Sequence, residues 1–230
     1  METKRRNGRR YGAMLLGMLA VLLMLSTTAF ASEKSDGARM KKVLKYFKAG
    51  NYELAEQYGS SLPKYASEKC VKNMPAKMKK AYRKVLKSYK PKVAYTIGES
   101  KFYNSVMAYY LTDVDNDGKA ELMITYGSGV NANFYIYRYT SGKAVKVYDG
   151  YISSNRTLHA YPKHKGFIYH DAIQGGENLV VETLKGSSLK SKDYGHRMAY
   201  PYLTLGLELD GHSSYSTAKH RYVLDYSPLK

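Results

Sequence analysis

Tryptophan is absent from this chain, cysteine occurs once, and acidic residues are outnumbered by basic ones, 19 to 37. Each shortage excludes something. The single thiol, Cys70, has no partner for an internal disulfide, so this is not a disulfide-stapled fold and its core must hold it together. Without tryptophan the chain lacks the largest aromatic surface available for stacking on a sugar. No apolar run reaches the about 20 residues of a membrane span; the longest, Ala13 to Leu25, stops short. No H-E-x-x-H, G-x-S-x-G or Cys–His signature marks a catalytic centre. The basic excess comes with no reader motif for nucleic acid, which is therefore disfavoured as a partner.

What is present starts with an address. Lys4, Arg5, Arg6, Arg9 and Arg10 precede the apolar run, and Ala29-Phe30-Ala31 follows it as a small-x-small cleavage site. This is the plan of a secretory signal peptide over 1–31, with cleavage leaving Ser32 first. An uncleaved anchor is the alternative. The expected location is extracellular, or associated with the cell surface. A disulfide-free exported chain suits a Gram-positive source.

Charge then divides the rest of the chain. Residues 32–92 hold 17 basic and five acidic residues, whereas 93–230 hold 15 and 13. The basic part reads as helical. Met40, Val43, Leu44 and Phe47 follow helical spacing, and Gly50-Asn51 ends one helix and caps the next, with Leu54, Ala55, Tyr58 and Leu62 inward. A third helix is expected over about 75–90, with Met78, Ala81, Tyr82, Val85, Leu86 and Tyr89 as its apolar stripe and lysines opposite. That basic face suits an anionic membrane or cell-envelope polymer. The plainer reading, a helix packed on a β-domain with solvated lysines, is preferred. Residues 93–230 read as strands near 104–112, 121–127, 133–140, 144–149, 156–161, 166–171, 178–184, 187–192 and 220–225. The fold expected is α+β: a helical hairpin or three-helix segment, then an antiparallel β-sheet domain, curled or paired into a sandwich. Tyr135, Tyr137 and Tyr139 alternate onto one sheet face that suits a glycan or a protein.

The most specific chemistry lies in Asp113-Val114-Asp115-Asn116-Asp117-Gly118-Lys119-Ala120-Glu121-Leu122. Calcium takes six to eight oxygens at about 2.3–2.6 Å. Asp113, Asp115 and Asp117 can turn inward together, Gly118 permits the sharp turn, Lys119 offers its carbonyl and Glu121 closes the shell. Three crowded carboxylates repel one another unless a cation neutralises them, and an all-oxygen set disfavours zinc and copper. An EF-hand would need glutamate at position twelve, where Ile124 stands. Strand-like flanks make the loop, 113–121, the tip of a β-hairpin. An ordinary Asp/Asn/Gly turn without metal is the competing reading.

The pattern D-x-D-x-D-G-x-x-E-L between strands resembles the calcium loop of FG-GAP-type repeats. With Phe134 to Tyr139 and the turn Ser141-Gly142-Lys143, it is similar to a group of secreted Firmicutes proteins carrying such a hairpin. The resemblance implies Asp113, Asp115, Asp117, Glu121 and the Lys119 carbonyl as ligands, with calcium as the ion. One loop is present, so a full propeller is not implied. The function expected is non-enzymatic: binding or structural work at the bacterial surface. The alternative is an exported cell-wall or glycan hydrolase with a site in the β-domain, where His170-Asp171 and Glu177 offer acid/base groups. Asp171 to Asn178 is expected to be a loop, and the six histidines to be surface or strand residues.

Overall fold

The computed structural model describes residues 33–128, 131–153, 156–173, 175–198, 201–212, 214–216 and 222–230. The expected signal segment and the start of the last expected strand lie outside them.

The helices come first. Helix α1 covers 33–48, α2 is Tyr52–Ser60, a single turn α3 is Lys69–Lys72, and α4 is Ala76–Ser88. Gly50 takes φ +73 to end α1, and the Asn51 side chain accepts from the Leu54 N–H to start α2, so both boundaries follow from local chemistry. Met40, Val43, Leu44 and Phe47 are all buried, as their spacing requires.

All strand pairing within the sheets is antiparallel and runs between chain neighbours. Strands β1 (Lys92–Ile97), β2 (Ser100–Thr112), β3 (Glu121–Gly127), β4 (Asn131–Thr140) and β5 (Lys143–Ser153) form one five-stranded sheet in that order. A second sheet follows as β6 (Thr157–Ala160), β7 (Phe167–Ile173), β8 (Gly176–Lys185) and β9 (Ser188–Met198). Short β10 (Ser214–Ser216) and β11 (Tyr222–Leu224) pair with each other, and a 3-10 turn at Ser227–Leu229 ends the chain. The α+β class and its order of elements are thus as expected.

Two details differ from expectation. β1 and the first turn of β2 are an added hairpin; every residue of β1 is exposed, so no alternation of burial marks it in the sequence. Asp171 to Asn178 is a tight hairpin and not a loop: Asp171 pairs with Asn178 and Ala172 with Glu177, and Gly175 makes the turn at φ +83.

The helices do not form a separate unit. Met40, Leu44 and Phe47 of α1 share one core with Phe134 and Ile136 of the first sheet and Phe167, Leu179 and Val181 of the second. Met78, Tyr82 and Leu86 of α4 share another with Tyr109, Leu122 and Ile124. Helix α4 lies over the tyrosine face: the Tyr89 ring sits 5.3 Å from those of Tyr126 and Tyr135, and its hydroxyl lies 2.6 Å from that of Tyr137. The face expected to offer tyrosines to a glycan is therefore largely covered. Arg83 and Lys79, on the other side of α4, donate to the carbonyls of Leu229 and Lys230 and hold the chain end.

Candidate metal centre

Thr112 and Glu121 are register partners at the ends of β2 and β3, so the residues between them project as a loop. The loop is tied down on three sides. Val114 and Ala120 are buried; the Val114 carbonyl accepts from the Gly166 N–H at 2.7 Å, and the Ala120 carbonyl from the Tyr82 hydroxyl at 2.8 Å. The Asp113 N–H donates to Glu68 Oε2 at 3.1 Å. Asn116 (φ +59) and Gly118 (φ +84) take the left-handed conformation that reverses the chain.

With the backbone so fixed, the carboxylates converge. Asp113, Asp115 and Asp117 each bring a ligand oxygen within 4.8 Å of the others. Both Asp113 oxygens accept from the loop itself, Oδ1 from the Asp117 N–H at 3.0 Å and Oδ2 from the Gly118 N–H at 2.9 Å. Asp115 Oδ1 accepts from the Asp117 N–H at 3.2 Å, and Asp117 Oδ1 from the Lys119 N–H at 2.8 Å. These bonds orient the carboxylates before any ion arrives.

Glu121 stands behind the three, completely buried. Its Oε2 accepts from the Val114 N–H at 2.9 Å, but its Oε1 has no hydrogen-bond partner. Arg138 on β4 reaches across, 2.5 Å from Asp115 and 3.7 Å from Glu121, and Lys119 Nζ lies 3.2 Å from Asp117. Arg138 and Lys119 are thus set against Asp113, Asp115, Asp117, Glu121 and the adjacent Glu68.

That imbalance shows in the acidities. Burial, and then the Asp115 charge, push Glu121 up to about 8, against the pull of the Val114 N–H and Arg138. Burial likewise pushes Glu68 up to about 7, opposed by its bonds to Thr112 and Asp113. Asp113 is raised too, first by burial, with Asp115 and Asp117 adding to it. A hard cation would remove this cost, because it stabilises the charged forms together.

Of the expected ligands, the structure thus gathers the three aspartates and places Glu121 behind them, joined to Asp115 through Arg138. Lys119 follows Gly118 on the rim of a cavity of about 470 Å³ that Asp113, Glu68, Cys70, Met78 and Tyr139 also line. Sequence reasoning missed Glu68. It precedes α3, 45 residues from its partner, and no spacing rule connects them. Its one signal was scarcity, as one of five acids among 17 basic residues in 32–92.

The acid/base candidates are placed otherwise. His170 Nε2 lies 2.6 Å from Glu177 Oε1, with the two side chains 8% and 0% exposed. Arg197 and the Leu203 N–H also bind Glu177. Asp171 points away to Arg156 at 3.1 Å. His159 is buried as well, its Nδ1 3.0 Å from the Gly206 carbonyl. His159 and His170 are therefore core residues, because their rings fill interior positions of β6 and β7.

Compared with known proteins, the chain matches no family model, no curated protein and no solved structure.

Proposed function

We propose that this protein is an exported, non-enzymatic calcium-binding protein of the bacterial exterior or cell surface, in which the 113–121 loop takes calcium and the ion locks the fold. One observation carries the reading. Three converging carboxylates stand in front of a fully buried glutamate with an unpartnered oxygen. An acceptor left bare in the interior costs free energy unless something meets it, and hard oxygens in this number favour a hard divalent ion. The basic leader, apolar run and Ala29-Phe30-Ala31 support export, and calcium at extracellular concentration would then stabilise the fold by mass action. A hydrolase site in the β-domain draws less support, since His170 and Glu177 are consumed in a closed buried network.

The test is a thermal melt in EDTA and in about 5 mM calcium. At 100 times the Kd the ion adds about 2.7 kcal/mol, or roughly 5–10 °C for a chain of this size. Asp115→Asn should abolish most of that gain. Identical melts of the parent in the two buffers would refute the reading.

A further inference from the structure

The β1–β2 hairpin stands outside both cores. Val93, Tyr95, Ile97 and Phe102 are 52%, 46%, 65% and 39% exposed, although large apolar residues normally find cover in a chain that has two cores to offer. Tyr95 and Phe102 are cross-strand partners, and their rings stack at 4.6 Å. Ile97 lies two residues along from Tyr95 and so on the same face. Gly98, at φ +57, takes the first position of the two-residue turn, where hairpins of this kind favour glycine. The result is a finger with Tyr95, Ile97 and Phe102 on one apolar side, while a bulge between Val93 and Tyr95 leaves Val93 opposite Tyr103 on the other.

Its base is basic. Lys84, Lys87, Lys90 and Lys92 are all exposed and lead directly from α4 into β1. The end of α4 is pinned to the sheet, with the Lys90 carbonyl accepting from the Tyr126 hydroxyl at 3.1 Å, so these charges stay beside the hairpin. Glu99 is the only acid from Lys77 to Lys101.

Three occupants are conceivable, and the observations separate them. A soluble polyanion would use the lysines and leave the apolar side chains in water. A second copy of this chain would gain too little: at about 200 Å² per large side chain, the exposed fractions of Tyr95, Ile97 and Phe102 amount to roughly 300 Å². A stable dimer needs about 800 Å² per partner. An anionic bilayer uses both features, because apolar and aromatic side chains seat in the interface while lysines meet lipid phosphates.

We propose that the β1–β2 hairpin inserts its Tyr95, Ile97 and Phe102 side into the surface of an anionic lipid bilayer, with Lys84, Lys87, Lys90 and Lys92 on the headgroups. The contact is shallow and reversible, since the finger carries few apolar side chains and Glu99 at its turn remains at headgroup level. It is separate from the calcium loop, which lies at the far end of β2.

The experiment uses the chain from Ser32 onward, which contains every described residue. Ile97→Trp supplies a unique tryptophan in a protein that has none. Its emission should shift to the blue with vesicles of phosphatidylglycerol and phosphatidylcholine (about 3:7), and not with phosphatidylcholine alone. In co-sedimentation, Tyr95→Ser with Ile97→Ser should weaken binding of the otherwise unaltered chain by about tenfold or more. Lys87→Glu with Lys90→Glu should do the same at low salt. Equal binding by the serine variant and the parent would overturn the proposal in favour of a soluble polyanion, as would full competition by polyphosphate. A dimer in solution that the serine variant dissolves would overturn it in favour of self-association. No binding of the parent to anionic vesicles would overturn it outright.

Discussion

Glu121→Gln tests the metal centre from the side that ordinary mutagenesis neglects, because it should stabilise the protein when calcium is absent. Glutamine keeps the shape, and its amide oxygen can still accept from the Val114 N–H as Glu121 Oε2 does. The substitution removes a charge that the fold resists. At about pH 7.5 the carboxyl is some three pH units above its ordinary pKa and still below its folded value of about 8. At about 1.36 kcal/mol per pH unit, holding it largely protonated about three pH units above its ordinary pKa costs the native state up to about 4 kcal/mol. Allowing for relaxation around Asp115 and Arg138, we expect a gain of about 2–4 kcal/mol, or roughly 5–15 °C in Tm, for the variant in EDTA. The sign reverses with calcium. The parent gains the binding free energy, while the variant, with one charged ligand fewer, gains much less. A carboxyl whose pKa is higher folded than unfolded destabilises the fold progressively as pH rises from about 4.5 to about 8. The variant's advantage should therefore fade at about pH 5. Paired melts by circular dichroism in EDTA and calcium at the two pH values give all four numbers. A variant less stable than the parent in EDTA at about pH 7.5 would refute the account of a strained carboxylate. Equal calcium gains in both proteins would remove Glu121 from the ligand set.

Two further outcomes are expected. Gly37→Ala, normally favourable within a helix by about 0.5–1 kcal/mol, should here destabilise by about 2 kcal/mol or more in urea unfolding, since an added Cβ would lie 2.0 Å from the Pro162 carbonyl oxygen; a stabilised variant would contradict the close packing of α1 on that loop. Burial and the neighbouring His170 hold His159 down to about 3, so its neutral form contributes stability that is present above its ordinary pKa of about 6.5 and is lost as pH falls toward 3. His159→Asn should cancel that loss, closing the gap to the parent by up to about 1.4 kcal/mol per pH unit below 6.5; a gap that stays constant would show that His159 does not titrate on unfolding.

What the sequence made legible follows from how locally each feature is encoded. The caps at Gly50-Asn51, the apolar stripes of α1 and α4 and most strands depend on residues a few positions apart, and all are visible as period or turn chemistry. The same holds for the aspartates of the loop, which one turn assembles. Features that depend on distant partners were hidden. Glu68 meets Asp113 and Tyr82 meets Ala120 only because the helical segment folds back over the sheets, and Gly166 meets Val114 only because the second sheet packs beside the first. The Glu177 network was hidden differently. Asp171 to Asn178 is polar and glycine-rich, which describes an exposed loop, but Glu177 is completely buried because His170, Arg197 and the Leu203 N–H satisfy it. Composition alone does not distinguish a solvated carboxylate from a paired one.

Those distant contacts also change what an ion in the loop would do. A hairpin tip bound only to its own strands would stiffen the hairpin and nothing else. This loop receives Glu68 from the turn before α3, Tyr82 from α4, Arg138 from β4 and the Gly166 N–H from the chain entering β7. Each of these bonds depends on the loop backbone, and the loop backbone depends on how its carboxylates share their charge. Removing their mutual repulsion with a cation would strengthen contacts to both sheets and to the helical layer at once. The loop is then a junction of the whole fold, and a calcium response there would belong to global stability. The hairpin proposed to face the membrane hangs from the opposite end of β2, with every residue of β1 exposed. The proposed binding at the surface and the proposed locking by the ion would accordingly be separable, joined by one strand.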